Sequence, residues 1–270
     1  MAMRDKLKVI SDALRIEPAA VERKLETFIK RKVLEAGADG VVVGLSGGID
    51  SSTVAVLSVR ALGSKKVTGI SLPEAGVSDP RDVADARLVA KKLNLVLKVV
   101  DIAPIVKAVR QSLVDFKSGA RLPNANILPR VRMVVLYYYA NLLNRLVVGC
   151  GNRSELRTGY FTKYGDGASD MFPLGGLYKT QVRELAAYLG IPQRIMNKTP
   201  TAGLWRGQTD EGELGIRYKE LDLIFAGLDL GLEPRVIAAA TGVGLSKVKS
   251  IIERERRNIH KLRPPDIPEF

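Results

Sequence analysis

The order of apolar and polar positions divides the chain into alternating short strands and longer helices. Residues 1–38 carry Val21, Leu25, Phe28, Ile29 and Leu34 near helical spacing, which predicts a helix packed on the main domain. The run Val41-Val42-Val43-Gly44-Leu45 is continuously apolar, as a strand buried on both faces must be, and 49–62 returns to a helical pattern. Strands are predicted again over 67–72 and 95–102, separated by a helix over 80–93 that has proline at its start. Helices over 104–116 and 128–146 follow, and 146–149 supplies a fourth strand. Residues 151–176 are rich in Gly and Asp with weak periodicity, so they read as a functional loop set at the end of that strand, the ligand edge of an open parallel sheet. A helix over 178–189 is stopped by Gly190 and Pro192, residues 197–217 are loop-like, and helices over 218–228, 233–240 and 245–258 precede a tail ending DIPEF. The pattern predicts an α/β fold: a Rossmann-like, doubly wound parallel sheet with helices on both faces, plus helical N- and C-terminal segments. No internal repeat or low-complexity tract interrupts it.

Composition narrows the function classes. With 46% hydrophobic and 26% charged residues in 270, intrinsic disorder is excluded as the main state. The most apolar helical stretch, 127–146, holds Arg130, Arg132 and Arg145, so it falls short of the roughly 20 apolar residues of a membrane span. Charges recur every few residues from Arg4 onward where a secretory signal would be apolar, and a cytoplasmic protein is expected. One cysteine, Cys150, excludes an internal disulfide and a cysteine-built zinc site. One histidine, His260, excludes a His-rich metal centre and, unless it serves itself, a Ser-His-Asp triad. Oxygen-ligated Mg²⁺ remains. The net charge of +13 fits nucleic acid, phosphate-rich small molecules or a solvated basic surface equally well.

The run GLSGGIDSS at 44–52 links the first strand to the next helix. Adjacent glycines let a ligand approach the backbone, the helix N-terminus offers free N–H groups, and Ser46, Ser51 and Ser52 add hydroxyls. This is a polyphosphate cradle without the Gly-Lys-Ser/Thr of a Walker A loop, and Asp50 inside it makes sense as a holder of Mg²⁺ against phosphates. The string resembles the SGGxDS signature of ATP pyrophosphatases, which split ATP into AMP and pyrophosphate while activating an oxygen of a second substrate.

Longer stretches resemble NAD synthetases: GNRSELRTGYFTKYGDGASDMFPLGGLYKTQVRELAAYLGIP at 151–192, NKTPTAGLWRGQTDEGELGIRY at 197–218, NANILPRVRM at 124–133 and the tail HKLRPPDIP. The resemblance implies a single domain over 1–270, with an ATP pyrophosphatase core at about 20–195 and a helical C-terminal segment at about 215–262. It implies amidation of deamido-NAD (nicotinic acid adenine dinucleotide) by ammonia, through an acyl adenylate, to give NAD, AMP and pyrophosphate. By the same resemblance Asp50 and Glu155 bind Mg²⁺ and act with Lys179 as the catalytic set. ATP falls to Ser46, Gly47, Gly48, Ile49, Asp50, Ser51, Ser52, Thr53, Cys150, Lys179 and Thr201. Deamido-NAD falls to Arg130, Lys163, Asp170, His260 and Lys261, with Tyr160, Phe161 and Tyr164 as candidate stacking rings. The family has threonine where this chain has Cys150, a weaker hydrogen-bonding group, which puts one ATP contact in doubt. The chain lacks the extra domain of glutamine-dependent relatives, so free ammonia is the expected donor, and a homodimer is expected.

Three other readings compete. Residues 236–257 have the small-residue, Gly-turn and Ser pattern of a helix-turn-helix followed by Arg254, Arg256 and Arg257, as in a nucleic-acid-binding protein. An ATP pyrophosphatase acting in tRNA thiolation is the second, poorly served by a single cysteine. A non-catalytic nucleotide-binding module is disfavoured by Asp50, Glu155, Lys163 and Lys179 occurring together.

Overall fold

The computed structural model describes residues 3–205 and 207–269. In chain order the helices and strands are α1 (Met3–Ala13), α2 (Pro18–Glu35), β1 (Gly40–Gly44), α3 (Ile49–Leu62), β2 (Val67–Ser71), α4 (Pro80–Lys92), β3 (Val96–Val99), α5 (Ala103–Ser112) and α6 (Arg121–Ala125). They continue as α7 (Ile127–Leu142), β4 (Arg145–Val148), α8 (Arg153–Thr158), α9 (Lys179–Tyr188), α10 (Gln193–Met196), α11 (Asp210–Leu214), α12 (Tyr218–Asp229), α13 (Pro234–Thr241) and α14 (Leu245–Asn258).

The four strands are all parallel in the order β3-β2-β1-β4, with Val41 paired to Val67 on one side and Leu146 on the other. Strand β1 is central, and its alternation divides the core. Val41 and Val43 face a layer built from α2, α3, α4 and α9 around Ile29, Leu57, Val89 and Leu185, whereas Val42 faces α5 and α7 through Val106, Leu128, Val131 and Val135. Burying each such valine or leucine contributes about 1.5–3 kcal/mol, which explains why the strand reads as an unbroken apolar run. After β3 the chain crosses back to lay β4 beside β1, and the C-terminal ends of β1 and β4 become the switch point at which open α/β sheets bind ligands.

The C-terminal helices α12, α13 and α14 enclose their own apolar cluster around Leu221, Phe225, Ile237, Val248 and Ile251, with Tyr178 stacked on Phe225 at 6.2 Å. The α13–α14 pair is therefore packed inward, and α14 lies against α8.

Several expectations need correction. The segment 1–38 is two helices, because Glu17 caps a new helix that begins at Pro18; α1 packs on α12 and α13 through Ile10 instead of on the sheet. Leu34 falls off the buried face of α2 and is 81% exposed, while Ile29 and Val33 fill it. The helix expected over 128–146 ends at Leu142, since Asn144 turns the backbone to φ 48° and Arg145 already pairs in β4. The segments read as loops at 151–176 and 197–217 contain the short helices α8 and α11.

Candidate active site

The turn Ser46-Gly47-Gly48 leaves β1 and enters α3. Gly47 adopts φ +79°, and a Cβ there would lie 2.2 Å from the Asp82 carbonyl oxygen, so only glycine fits between the turn and α4. Gly48 is the N-cap of α3 with no side-chain cap, which leaves the first N–H groups of α3 directed at the cleft. The Ser46 and Ser51 hydroxyls pair at 2.9 Å across the turn. Ser52 and Thr53 are buried and donate to the carbonyls of Gly48 and Ile49, so their hydroxyls brace α3 from within.

At the neighbouring strand end, Asn152 and Glu155 form a capping box that starts α8: the Asn152 side chain accepts from the Glu155 N–H at 3.1 Å, and Glu155 Oε2 accepts from the Asn152 N–H at 3.2 Å. Asn152, fully buried, also donates from its side chain to Asp50 Oδ1 at 3.0 Å, so one residue holds both carboxylates, Asp50 through its amide and Glu155 through its backbone N–H. Lys179, at the first turn of α9, closes the arrangement by donating to Asp50 Oδ2 at 2.6 Å and Glu155 Oε1 at 3.2 Å. Behind it, buried Asp222 of α12 accepts from the Ser154 hydroxyl at 2.5 Å and the Thr180 N–H at 2.8 Å, locking the start of α9.

Burial opposes the charge on Lys179, but Asp50 and Glu155 outweigh it and hold the ammonium protonated above its ordinary range. Burial pushes the Glu155 carboxyl up to about 7 against the pull of Lys179. With both carboxylates ionised, two carboxylates and one ammonium leave the cluster with one negative charge in excess. Among the described residues no three His, Cys, Asp or Glu side chains converge as a metal cage. The donor set present, two carboxylates beside a helix N-terminus that draws phosphate, fits Mg²⁺ completed by phosphate oxygens.

These groups open into a cavity of about 1230 Å³ lined by the ends of β1 and β4, by α7, by segments around 160 and 200, and by the end of α14. That volume exceeds the range of roughly 300–1,000 Å³ typical of a site for one drug-sized ligand. On one rim Arg130 donates to the Lys163 carbonyl at 3.4 Å, Lys163 donates to the His260 carbonyl at 3.0 Å, and Lys261 donates to the carbonyls of Gly159 and Phe161 at 2.7 and 3.2 Å.

Of the residues expected from sequence, Ser46, Gly48, Ile49, Asp50, Ser51, Arg130, Cys150, Glu155, Lys163, Lys179, Thr201 and Lys261 line the cavity, as do Tyr160 and Phe161. Gly47, Ser52, Thr53, Tyr164, Asp170 and His260 are not in its wall. Asp170 instead accepts from the Val147 N–H at 2.6 Å and faces the Tyr137 hydroxyl at 3.3 Å, at the edge of β4. Cys150 reaches the Gly44 carbonyl at 3.8 Å, and burial pushes its thiol up, away from the thiolate form that a nucleophile needs.

Sequence reading missed Asn152, Asp210, Glu213 and Asp222. The first was legible, because Asn-x-x-Glu directly after a strand is a capping-box signature. Asp210 and Glu213 line the same cavity, where the hydroxyls of Tyr218 and Tyr160 donate to them at 3.1 and 2.6 Å. Asp222 carried no local signal.

The family model described as NAD synthase matches residues 21–265. The NH(3)-dependent NAD(+) synthetase of Thermococcus kodakarensis is 47% identical, over 93% of this chain and 97% of its own. Among solved structures, NMN synthetase from Francisella tularensis superposes with a TM-score of 0.83 at 35% identity, over 95% of this chain and 100% of that one. NH3-dependent NAD synthetase from Campylobacter jejuni superposes with a TM-score of 0.75 at 31% identity, over 94% and 100%. With the nucleotide turn, the carboxylate pair and the cavity in place, these matches show that the chain belongs to the NAD synthase family.

Proposed function

We propose that the chain is the ligase that makes NAD from deamido-NAD, ATP and ammonia, with the steps divided among its residues as follows. The pyridine carboxylate attacks the α-phosphorus of ATP, pyrophosphate leaves, and ammonia then displaces AMP from the acyl adenylate. No protein nucleophile is needed, only positioning and charge stabilisation at phosphate oxygens. The N–H groups at the start of α3, with Ser46 and Ser51, bind the polyphosphate. Lys179 faces it as a permanent cation, and Thr201 and Cys150 border the same nucleotide. Asp50 and Glu155 would hold Mg²⁺, which supplies neutralisation of phosphate charge when bound. Arg130, Lys163 and Lys261 offer cations to the dinucleotide, with Tyr160 and Phe161 as stacking surfaces; Asp170 and His260 stand just outside this wall.

The observation that carries the reading is the Lys179 bridge between Asp50 and Glu155, set at the β1/β4 switch point above a free helix N-terminus. The same proposal takes the chain as one functional unit, a homodimer working in the cytoplasm. No helix among the described residues is long and apolar enough to cross a membrane.

The test is product analysis with Mg²⁺, ATP and ammonium or glutamine, offering deamido-NAD or nicotinate mononucleotide. The mononucleotide is included because of the likeness to an NMN synthetase. Equal yields of NAD, AMP and pyrophosphate from deamido-NAD and ammonium are expected. NMN formation in their place would reassign the acceptor, and pyrophosphate release with neither product would reject it.

A further inference from the structure

Lys198 has no part in the site as read so far, yet it joins three segments of it. It follows α10 and precedes the stretch carrying Thr201. Its ammonium donates to the Gly47 carbonyl at 3.1 Å, to Asp82 Oδ1 at 2.7 Å and to Asp85 Oδ2 at 2.5 Å. An ammonium has three N–H donors, and here each has an acceptor. Asp85, on α4, is buried and is held in turn by Arg194.

The acceptor on the nucleotide turn matters most. The peptide joining Gly47 to Gly48 lies between two residues without a Cβ, so it is the unit of the turn most free to rotate. Its N–H has only a 3.3 Å contact to the Ser46 hydroxyl. Rotated, it would bring a carbonyl oxygen toward the place where the α3 N–H groups face an anion. The Lys198 bond keeps that carbonyl on the α4 side, where Gly47 already packs against the Asp82 backbone. Burial opposes the charge on Lys198, but Asp82 and Asp85 more than compensate, so the clamp stays cationic.

We propose that Lys198 is a positioning residue for ATP, holding the Gly47 carbonyl so that the nucleotide turn is set for the polyphosphate and tied to the Thr201 segment. The proposal rests on reading the 44–52 turn as the ATP site, and it assigns Lys198 an action through Gly47 instead of through contact with phosphate.

The whole chain carrying Lys198→Met or Lys198→Arg tests it, with Asp82→Asn as a milder variant that removes one of the two carboxylate charges on the ammonium should Lys198→Met fail to fold. Two readouts are needed: KM for each substrate, and amide hydrogen exchange of the peptide covering 44–52 without nucleotide. Lys198→Met is expected to raise the KM for ATP roughly tenfold, as for loss of one charge-assisted bond, and to leave the KM for deamido-NAD within about twofold. Exchange over 44–52 should rise in the same variant, and Lys198→Arg should recover most of both effects. Asp82→Asn should shift both in the same direction by less. A raised KM for ATP with unchanged exchange would make Lys198 a direct phosphate ligand and overturn the proposal, as would no change in either readout. Failure of the wild-type protein to use ATP would instead overturn the reading on which it rests.

Discussion

Lys179 joins the two ends of the proposed catalytic arrangement, since its ammonium touches a carboxylate from α3 and another from α8. Asp50→Asn and Glu155→Gln should each lower adenylate formation by at least about 100-fold with the fold retained, as loss of one preorganised electrostatic group does. Pyrophosphate release and circular dichroism read the two outcomes, and near-normal rates in either variant would remove the metal assignment. Glu155 also makes a pH prediction. Its carboxyl is raised from the ordinary 4.5 to about 7 in the folded chain, chiefly by burial. The folded state therefore binds the extra proton between those values, and stability present below about 4.5 is lost as pH climbs through 7. Glu155→Gln cannot ionise, so its metal-free stability relative to wild type should improve by about 1–3 kcal/mol between pH 4.5 and pH 8. Denaturant melts in EDTA measure this, and a relative loss over the same interval would contradict it.

The elements act mainly as mounts for these side chains, and one of the short ones matters most. Helix α8 begins on the Asn152–Glu155 capping box, and Asn152 also holds Asp50. Asn152→Ala should cost about 1 kcal/mol from the cap alone and at least about tenfold in rate through the loosened carboxylates. Thermal melting and steady-state rates check the pair; a stability loss without a rate loss would leave Asn152 a cap and nothing more. The sequence made β1 and α3 legible because an apolar run, two glycines and a helical period agree there. It misled at Leu34, where apolar spacing continued past the end of the buried face of α2, and at 143–146, where a left-handed Asn144 separates two apolar stretches. Asp50 was legible as an acid inside a phosphate-binding turn, whereas Glu155 and Lys179 were found only because their motifs resemble a family. Their convergence depends on strand order, and the support from Asp222 depends on α12 packing against α9, which no local pattern encodes.

At the scale of the whole molecule, the rival nucleic-acid reading loses its platform. The α13–α14 pair gives Ile237, Val248 and Ile251 to the core, Arg254 and Asn258 face the cavity, and Arg256 and Arg257 pair with Glu253. A different surface is left open on α7, where Val134, Tyr138 and Leu142 are 59%, 63% and 63% exposed on one stripe one turn beyond Arg130. If the proposed homodimer forms, this exposed apolar stripe is the surface expected to cover itself with a second copy. Tyr138→Glu should then give a monomer by sedimentation and a raised KM for deamido-NAD, whereas an unchanged dimer would place the interface elsewhere. The central claim is that the pyridine carboxylate is activated by direct attack on ATP, and oxygen tracing tests it most directly. With both carboxylate oxygens of deamido-NAD labelled with ¹⁸O, turnover with ammonium should place one ¹⁸O in the phosphate of AMP and none in pyrophosphate. Unlabelled AMP alongside labelled pyrophosphate or water would contradict the acyl-adenylate account.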